Sequence, residues 1–166
     1  MKVSIITATY NSANTIGECM TSVLQQDYPH IEYLIKDGAS SDDTLTIVNA
    51  QAAKDRRIKV VSDSDTGIYD ALNKGLAEAT GDLIGFVHSD DVLANTDVIS
   101  NIVAAMRTHK ADGVYGDLHY IAANPPHKVI RNWVSQPFRQ ELLVQGWMPP
   151  HPTLYLKSSI YQDCGH

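Results

Sequence analysis

Apolar and polar positions alternate in a regular rhythm through the first half of the chain. Short β-branched runs at Lys2–Ala8, Ile31–Lys36, Ile58–Val61 and Leu83–Val87 read as strands. Between them, apolar residues recur at helical spacing: Ile16, Cys19, Met20, Val23 and Leu24, then Leu45, Ile47, Val48 and Ala52. A third set, Ile68, Ala71, Leu72, Gly75, Leu76 and Ala79, lies on one face of a helix. Asn11, Ser12 or Asn14 can cap the first helix, and Asp42 or Asp43 the second. Asp27-Tyr28-Pro29 stops the first and Gly81 the third. The order β-α-β-α-β-α-β with short connections predicts an α/β domain, with a mainly parallel, Rossmann-like sheet flanked by helices.

After Asp91 the rhythm changes. Val98, Ile99, Ile102, Val103 and Met106 predict a helix, capped by Asn95 or Thr96. Gly113–Ile121 and Val129–Val134 read as strands with Pro125-Pro126 between them, which predicts an antiparallel addition. Pro137 opens a short helix over Phe138–Val144, and Gly146–Pro152 is a stiff aromatic loop. Thr153–Leu156 reads as a last strand, and a helix starts at Ser158. No internal repeat or low-complexity linker interrupts this, so residues 1–166 read as one domain with halves 1–91 and 92–166.

Every polar cluster of the first half lies just after a strand: Thr9-Tyr10-Asn11, Asp37-Gly38, Asp65-Thr66-Gly67 and Asp90-Asp91. In a parallel sheet these gather at one edge, where α/β folds bind ligands. Composition narrows the partners. Hydrophobic residues make up 43% and charged residues 19%, which suits an ordinary folded domain rather than a disordered chain. A net charge of −6 disfavours a nucleic-acid partner. Cys19 and Cys164 have no metal spacing and suit a reducing compartment. Met1–Ile6 is too short for a signal peptide or a membrane span, so a cytoplasmic protein is expected.

The apolar run Ile84–Val87 ends in Asp90-Asp91. Adjacent carboxylates at a strand exit suit a hard divalent cation such as Mg²⁺ or Mn²⁺, or a solvated turn that caps the next helix. Asp37 can accept hydrogen bonds from a base or ribose, or form an Asx turn. Tyr10 can stack on a base or simply pack. Asp70, Asn73 and Lys74 share a helix face, so Lys74 can reach a phosphate or pair with Asp70. His151, between prolines, can be a general base, a metal ligand, a hydrogen-bond donor to phosphate or a structural residue. Alternation with Val87 turns His88 to the opposite side of the sheet, away from a catalytic role.

Four stretches together resemble family 2 glycosyltransferases: Ser4–Asn11, Asp37–Thr44, Asp65–Gly75 and Ser89-Asp90-Asp91. They are ordered and correctly spaced over essentially the whole chain, and the Gly67–Gly75 stretch looks especially like bacterial exopolysaccharide and lipopolysaccharide transferases. The resemblance implies a GT-A fold, a nucleotide-sugar donor (a UDP-sugar in particular), Mn²⁺ or Mg²⁺, and inversion at the anomeric carbon. It implies a saccharide or lipid-linked saccharide acceptor, cell-surface polysaccharide synthesis, and a place at the inner face of the membrane through peripheral contact. By the same resemblance Thr7, Thr9 and Tyr10 line the nucleotide pocket, Asp37 meets the base, and Asp65 and Lys74 lie beside the nucleotide and its phosphates. Ser89-Asp90-Asp91 corresponds to the DXD-type motif, with Asp90 on ribose or metal and Asp91 on the metal. Residues 1–91 then form the nucleotide-binding half and 92–166 a partial acceptor-side half.

Ala8 replaces the proline common in the first motif. Family members usually continue past Cys164-Gly165-His166 into a further acidic motif, often assigned the catalytic base. The expectation is therefore donor binding with little transfer, and His151 contacting diphosphate or acceptor rather than replacing that base. Three other classes fit less well. A receiver domain wants its acidic pair after strand one. A nucleotidyltransferase wants a Gly-rich loop where Thr9-Tyr10-Asn11-Ser12 stands. A module that binds nucleotide-sugar without transferring it fits the donor-side motifs alone.

Overall fold

The computed structural model describes residues 1–122 and 128–165. The first half follows the predicted rhythm: β1 (Val3–Thr9), α1 (Ile16–Leu24), β2 (Ile31–Asp37), α2 (Thr44–Ala52), β3 (Ile58–Ser62), α3 (Ile68–Glu78) and β4 (Leu83–Phe86). α4 (Val98–His109) follows, then β5 (Gly113–Val114), β6 (Leu118–Ile121), β7 (Val129–Trp133), α5 (Gln140–Val144), β8 (Tyr155–Lys157) and α6 (Ser158–Cys164). The main sheet has the order β3-β2-β1-β4-β8-β5. β1 pairs parallel with both β2 and β4, so the chain reverses its direction of travel across the sheet at the β1/β4 boundary. Ligands bind outside the carboxyl ends of strands at such a switch point.

Strand alternation sorts the core onto two faces. Val3, Ile5, Tyr33, Ile35 and Leu83 pack with the apolar stripes of α1 and α4, including Ile16, Met20, Val23, Ile99 and Val103. Ile6, Leu34 and Ile84 face the other way, against Leu76 of α3 and Tyr161 of α6. β1 and β2 are buried along their whole length, as the central strands of a covered parallel sheet must be.

The second half departs from expectation. The predicted strand Gly113–Ile121 splits into β5 and β6, which join different sheets. The break falls at Tyr115-Gly116-Asp117, where Asp117 accepts the Ser135 N–H and Gly116 O accepts the Ser135 hydroxyl. β6 and β7 form the expected antiparallel ribbon, while Pro125-Pro126 lies outside the described residues. The last strand begins two residues later than expected, after a 3₁₀ turn over His151–Thr153, and inserts antiparallel between β4 and β5.

Glu32, buried in β2, receives hydrogen bonds from Lys2, Lys59, Ser4 and Thr80. Burial alone raises its pKa, but the bonds from Lys59, Thr80, Ser4 and Lys2 outweigh burial and hold it well below the usual carboxylate range. Such a group stabilises the fold above its unfolded pKa, and the contribution is lost as pH falls toward the depressed folded value. Glu32→Gln is therefore expected to cost on the order of 3 kcal/mol near pH 7. Urea melts across pH should show that cost shrinking in acid, and a cost independent of pH would contradict the ionic role.

Candidate active site

The strand exits β1, β2 and β4 are tied together by their own loops. The Gly38 N–H donates to Thr9 O at 2.9 Å, and Asn11 N–H donates to Ser40 Oγ at 2.9 Å. Asn11 Oδ1 accepts Ser41 N–H, and Thr44 Oγ1 accepts Ser12 N–H. Ser12 Oγ lies 3.0 Å from Ser89 Oγ, which links the first loop to the acidic one. These bonds explain why Asn11 and Ser12 do not cap α1, whose N-cap is Thr15 with no side-chain capping bond. Asn11 and Ala39 hold positive φ of 49° and 61°, so both loops are tightly folded back.

The acidic turn is clamped from behind. Val87 O accepts the Thr7 hydroxyl at 2.6 Å, and His88 O accepts the Cys19 thiol at 3.2 Å and Asp91 N–H at 2.9 Å. Burial pushes the Cys19 pKa up to about 11, so it remains a neutral donor. Asp90 projects into solvent, while Asp91 is half-buried. Burial first, and the Asp90 charge second, raise the Asp91 pKa, against the pull of His88 and His151.

β8 supplies the other wall. Tyr155 pairs with Gly85 across the β4–β8 ladder. The preceding turn sets His151 Nε2 3.2 Å from His88 Nε2. At that distance one ring nitrogen donates and the other accepts, with the roles set by the tautomers. The structure brings His88 beside His151 and the acidic turn, a contact that strand alternation does not address because β4 ends at Phe86. The only local signal was a histidine directly before two carboxylates.

A cleft of about 70 Å³ gathers Asp37, Asp65 and Lys74. Asp37 is 1% exposed, and its carboxylate accepts from Ser40 N–H, Ser40 Oγ and Ser62 Oγ. Three of roughly four lone-pair positions are thus filled. Asp65 packs against Gly38, where a Cβ would fall 2.6 Å from the Asp65 carboxylate, so a side chain there would displace that carboxylate. Lys74 pairs with Asp70 at 3.0 Å and donates to Ser64 O. Lys36, which sequence reasoning did not single out, also lines the cleft, buried and paired with Glu78 of α3. Its signal was a lysine in a buried strand that also carries Glu32 and Asp37.

Residues 4–161 match the family described as Glycosyl transferase family 2. The chain belongs to that family. It is 37% identical over 117 residues to a PGL/p-HBAD biosynthesis glycosyltransferase of Mycobacterium tuberculosis, covering 69% of this chain and 46% of the relative. An uncharacterized glycosyltransferase of Haemophilus influenzae is 33% identical over 108 residues, 64% of this chain and 43% of that protein. The crystal structure of S. aureus TarS 1–349 in complex with UDP-GlcNAc superposes with a TM-score of 0.78 at 26% identity, over 99% of this chain and 47% of that one. Mannosyltransferase PcManGT from Pyrobaculum calidifontis, in complex with GDP-Man and Mn²⁺, gives 0.70 at 22% identity, over 99% and 46%. The chain thus spans about half the length of the relatives it matches. The fold is GT-A, as the resemblance implied.

Within this family 2 glycosyltransferase, Thr7 sits differently from expectation. Its side chain is wholly buried, with its hydroxyl spent on Val87 O and on Tyr33, so it shapes the strand exit from inside. Thr9 is 4% exposed and its hydroxyl has no partner among the described residues, while Tyr10 is 64% exposed at the mouth. Among the described residues no three His, Cys, Asp or Glu side chains are placed to hold a metal together. The donor set is instead two carboxylates, one of them with its charge under-compensated. That set fits a hard cation completed by ligand phosphate rather than a cation caged by protein. Among the described residues no helix is long and apolar enough to cross a membrane.

Proposed function

We propose that this glycosyltransferase chain binds a nucleoside-diphosphate sugar, UDP-linked in the first instance, across the β1/β4 switch point and serves an inverting transfer to a saccharide acceptor. The observation that carries the reading is the placement of His151 by β8 beside His88 and the Asp90-Asp91 turn, so that both halves of the chain wall one site. TarS, of the same fold, is a UDP-GlcNAc complex, which supports uridine as the base to test first.

In this reading Asp91 and Asp90 hold a divalent cation, which when bound neutralises charge on the departing diphosphate. Tyr10, open at the mouth, offers its ring to the base. Thr9 Oγ1 and the remaining lone pair of Asp37 supply polar contacts to the nucleoside. Asp65 and Lys74 border the same nucleoside cleft. His151 and His88, bonded to each other, border the diphosphate side. Inversion needs the acceptor hydroxyl in line with the anomeric carbon, and positioning supplies much of that rate. A cell-surface polysaccharide or glycolipid is the acceptor class proposed, reached by peripheral contact with the membrane.

The test is thermal stability with UDP or GDP, each with and without Mn²⁺. A ligand at about a hundred times its Kd adds about 2.7 kcal/mol, worth roughly 5–10 °C in a domain of this size. The largest shift is expected for UDP with Mn²⁺. Equal shifts with and without metal would sink the bridged diphosphate, and no shift with any nucleotide would sink the donor site.

Asp37→Asn separates the base contact from the metal. It keeps the shape but points an amide donor at hydroxyls that now donate to it. Uridine binding without metal is expected to weaken by roughly tenfold, the worth of one charge-assisted hydrogen bond. If titration calorimetry finds only the metal-dependent part reduced, Asp37 does not serve the base.

A further inference from the structure

A cleft of about 570 Å³ opens at the other edge of the sheet, where the strands begin, lined by Lys2, His30, Glu32, Arg56, Arg57 and Lys59 over Pro29 and Ile31. Val3 pairs with Ile31 and Tyr33 with Ile58, which sets the three strand starts side by side. The length of β1 separates this edge from the acidic turn by roughly 20 Å, so the cleft is no part of the donor site.

Four of its lining side chains are cationic and one is a carboxylate, within a chain of net charge −6. That carboxylate is already spent. Glu32 Oε1 receives Lys2 Nζ at 3.1 Å and Lys59 Nζ at 2.6 Å, and Oε2 receives Ser4 Oγ at 2.7 Å and Thr80 N–H at 2.9 Å. Two ammonium groups thus share one anion, which leaves a positive charge in excess. Asp55 fixes the Arg57 guanidinium through Nε at 3.1 Å and NH2 at 2.7 Å, and Leu24 O accepts a further bond at 2.8 Å. Arg56 is exposed, and its charge acts on Asp55 beside that of Arg57.

We propose that this cleft is a second binding site, specific for a phosphate group. Lys2, Lys59 and Arg57 are held in place before any ligand arrives, so little of their side-chain entropy remains to be lost on binding, while exposed Arg56 is ordered only by the ligand. Guanidinium forks and ammonium groups match the oxygens of phosphate, and its charge of up to two answers the excess that Glu32 leaves. The group is carried either by a small soluble ester or by a lipid headgroup, and the apolar floor of Pro29 and Ile31 accommodates the carbon next to the ester in both cases.

The test uses the whole chain without metal. Inorganic phosphate is titrated by equilibrium dialysis at low ionic strength. In parallel, the chain is sedimented with phosphatidylcholine vesicles, with and without phosphatidylglycerol. Saturable phosphate binding is expected, weakened roughly tenfold in Arg56→Glu and in Lys59→Gln. Arg56→Glu alters an exposed side chain and keeps the fold safe. Sedimentation that depends on phosphatidylglycerol and is lost in Arg56→Glu assigns the headgroup, and dialysis binding alone assigns a soluble ester. The stabilisation by UDP with Mn²⁺ is expected to be unchanged in both variants, so a failure here stands apart from a failure of the donor site. Absence of both saturable binding and lipid-dependent sedimentation overturns the proposal, as does binding that neither substitution weakens.

Discussion

Asp91→Asn is expected to abolish the Mn²⁺-dependent part of UDP stabilisation while leaving the unliganded fold at least as stable as the parent. The two halves have one cause. Asp91 is half-buried beside Asp90, and burial followed by the Asp90 charge raises its pKa. A carboxyl with a raised folded pKa costs stability when ionised, so the cost is fully present at neutral pH. It fades as pH falls through the folded value toward the unfolded one. Asparagine removes that cost and also removes the anion that would hold the cation. In thermal melts at pH 7 the parent should gain roughly 5–10 °C from UDP with Mn²⁺ at a hundredfold excess over Kd. The variant should gain only what UDP gives alone. The unliganded variant should melt at or above the parent, with the gap closing in acid. Metal-dependent stabilisation retained in full would remove Asp91 from the proposed cation site.

Gly85→Val is expected to cost about 3 kcal/mol or more, a fall in Tm of roughly 6–12 °C. A Cβ at Gly85 would lie against ring carbons of Tyr155 far inside van der Waals contact. Tyr155 is 1% exposed and belongs to the main core cluster, so its ring has nowhere to move. The alternative is to unpair β8 from β4 where Gly85 faces Tyr155, and β8 carries the turn that presents His151. The variant should therefore also lose part of its response to UDP with Mn²⁺. Combining it with Tyr155→Ala should cost less than the sum of the two single changes, because the added methyl groups then occupy the vacated ring volume. A variant within about 0.5 kcal/mol of the parent would show that the ring accommodates a side chain here.

Legibility followed the range of the interactions. Each β-α unit of the first half was visible because its signal lies within a dozen residues: β-branched runs, helical stripes, and Asp-Gly or Gly stops. The gathering of Thr9-Tyr10, Asp37, Asp65 and Asp90-Asp91 at one edge followed from parallel pairing alone. What their side chains do once there was not legible. Thr7 and Thr9 both precede the loop in one strand, yet Thr7 spends its hydroxyl inside and Thr9 leaves its own unpartnered among the described residues. Asp37 and Asp65 are both acids at strand exits, but Asp37 is sheathed by Ser40 and Ser62, which come from two separate segments.

The second half shows the limit most clearly. Gly113–Ile121 has uniform β character, and nothing within it marks the break, because Asp117 and Gly116 are claimed by Ser135 and Thr153 from later in the chain. Nor did any local pattern place the last strand beside the acidic one. That pairing matches Gly85 to Tyr155, 70 residues apart, through the absence of a side chain on one strand and a ring on the other. The sequence by itself determined the α/β order, the two-faced core and the edge at which polar residues collect, since periodicity and strand direction are local properties of the chain. Only the tertiary structure decided that His151 meets His88 over Asp91, because that contact depends on strand insertion, whose complementarity is not written in any single segment.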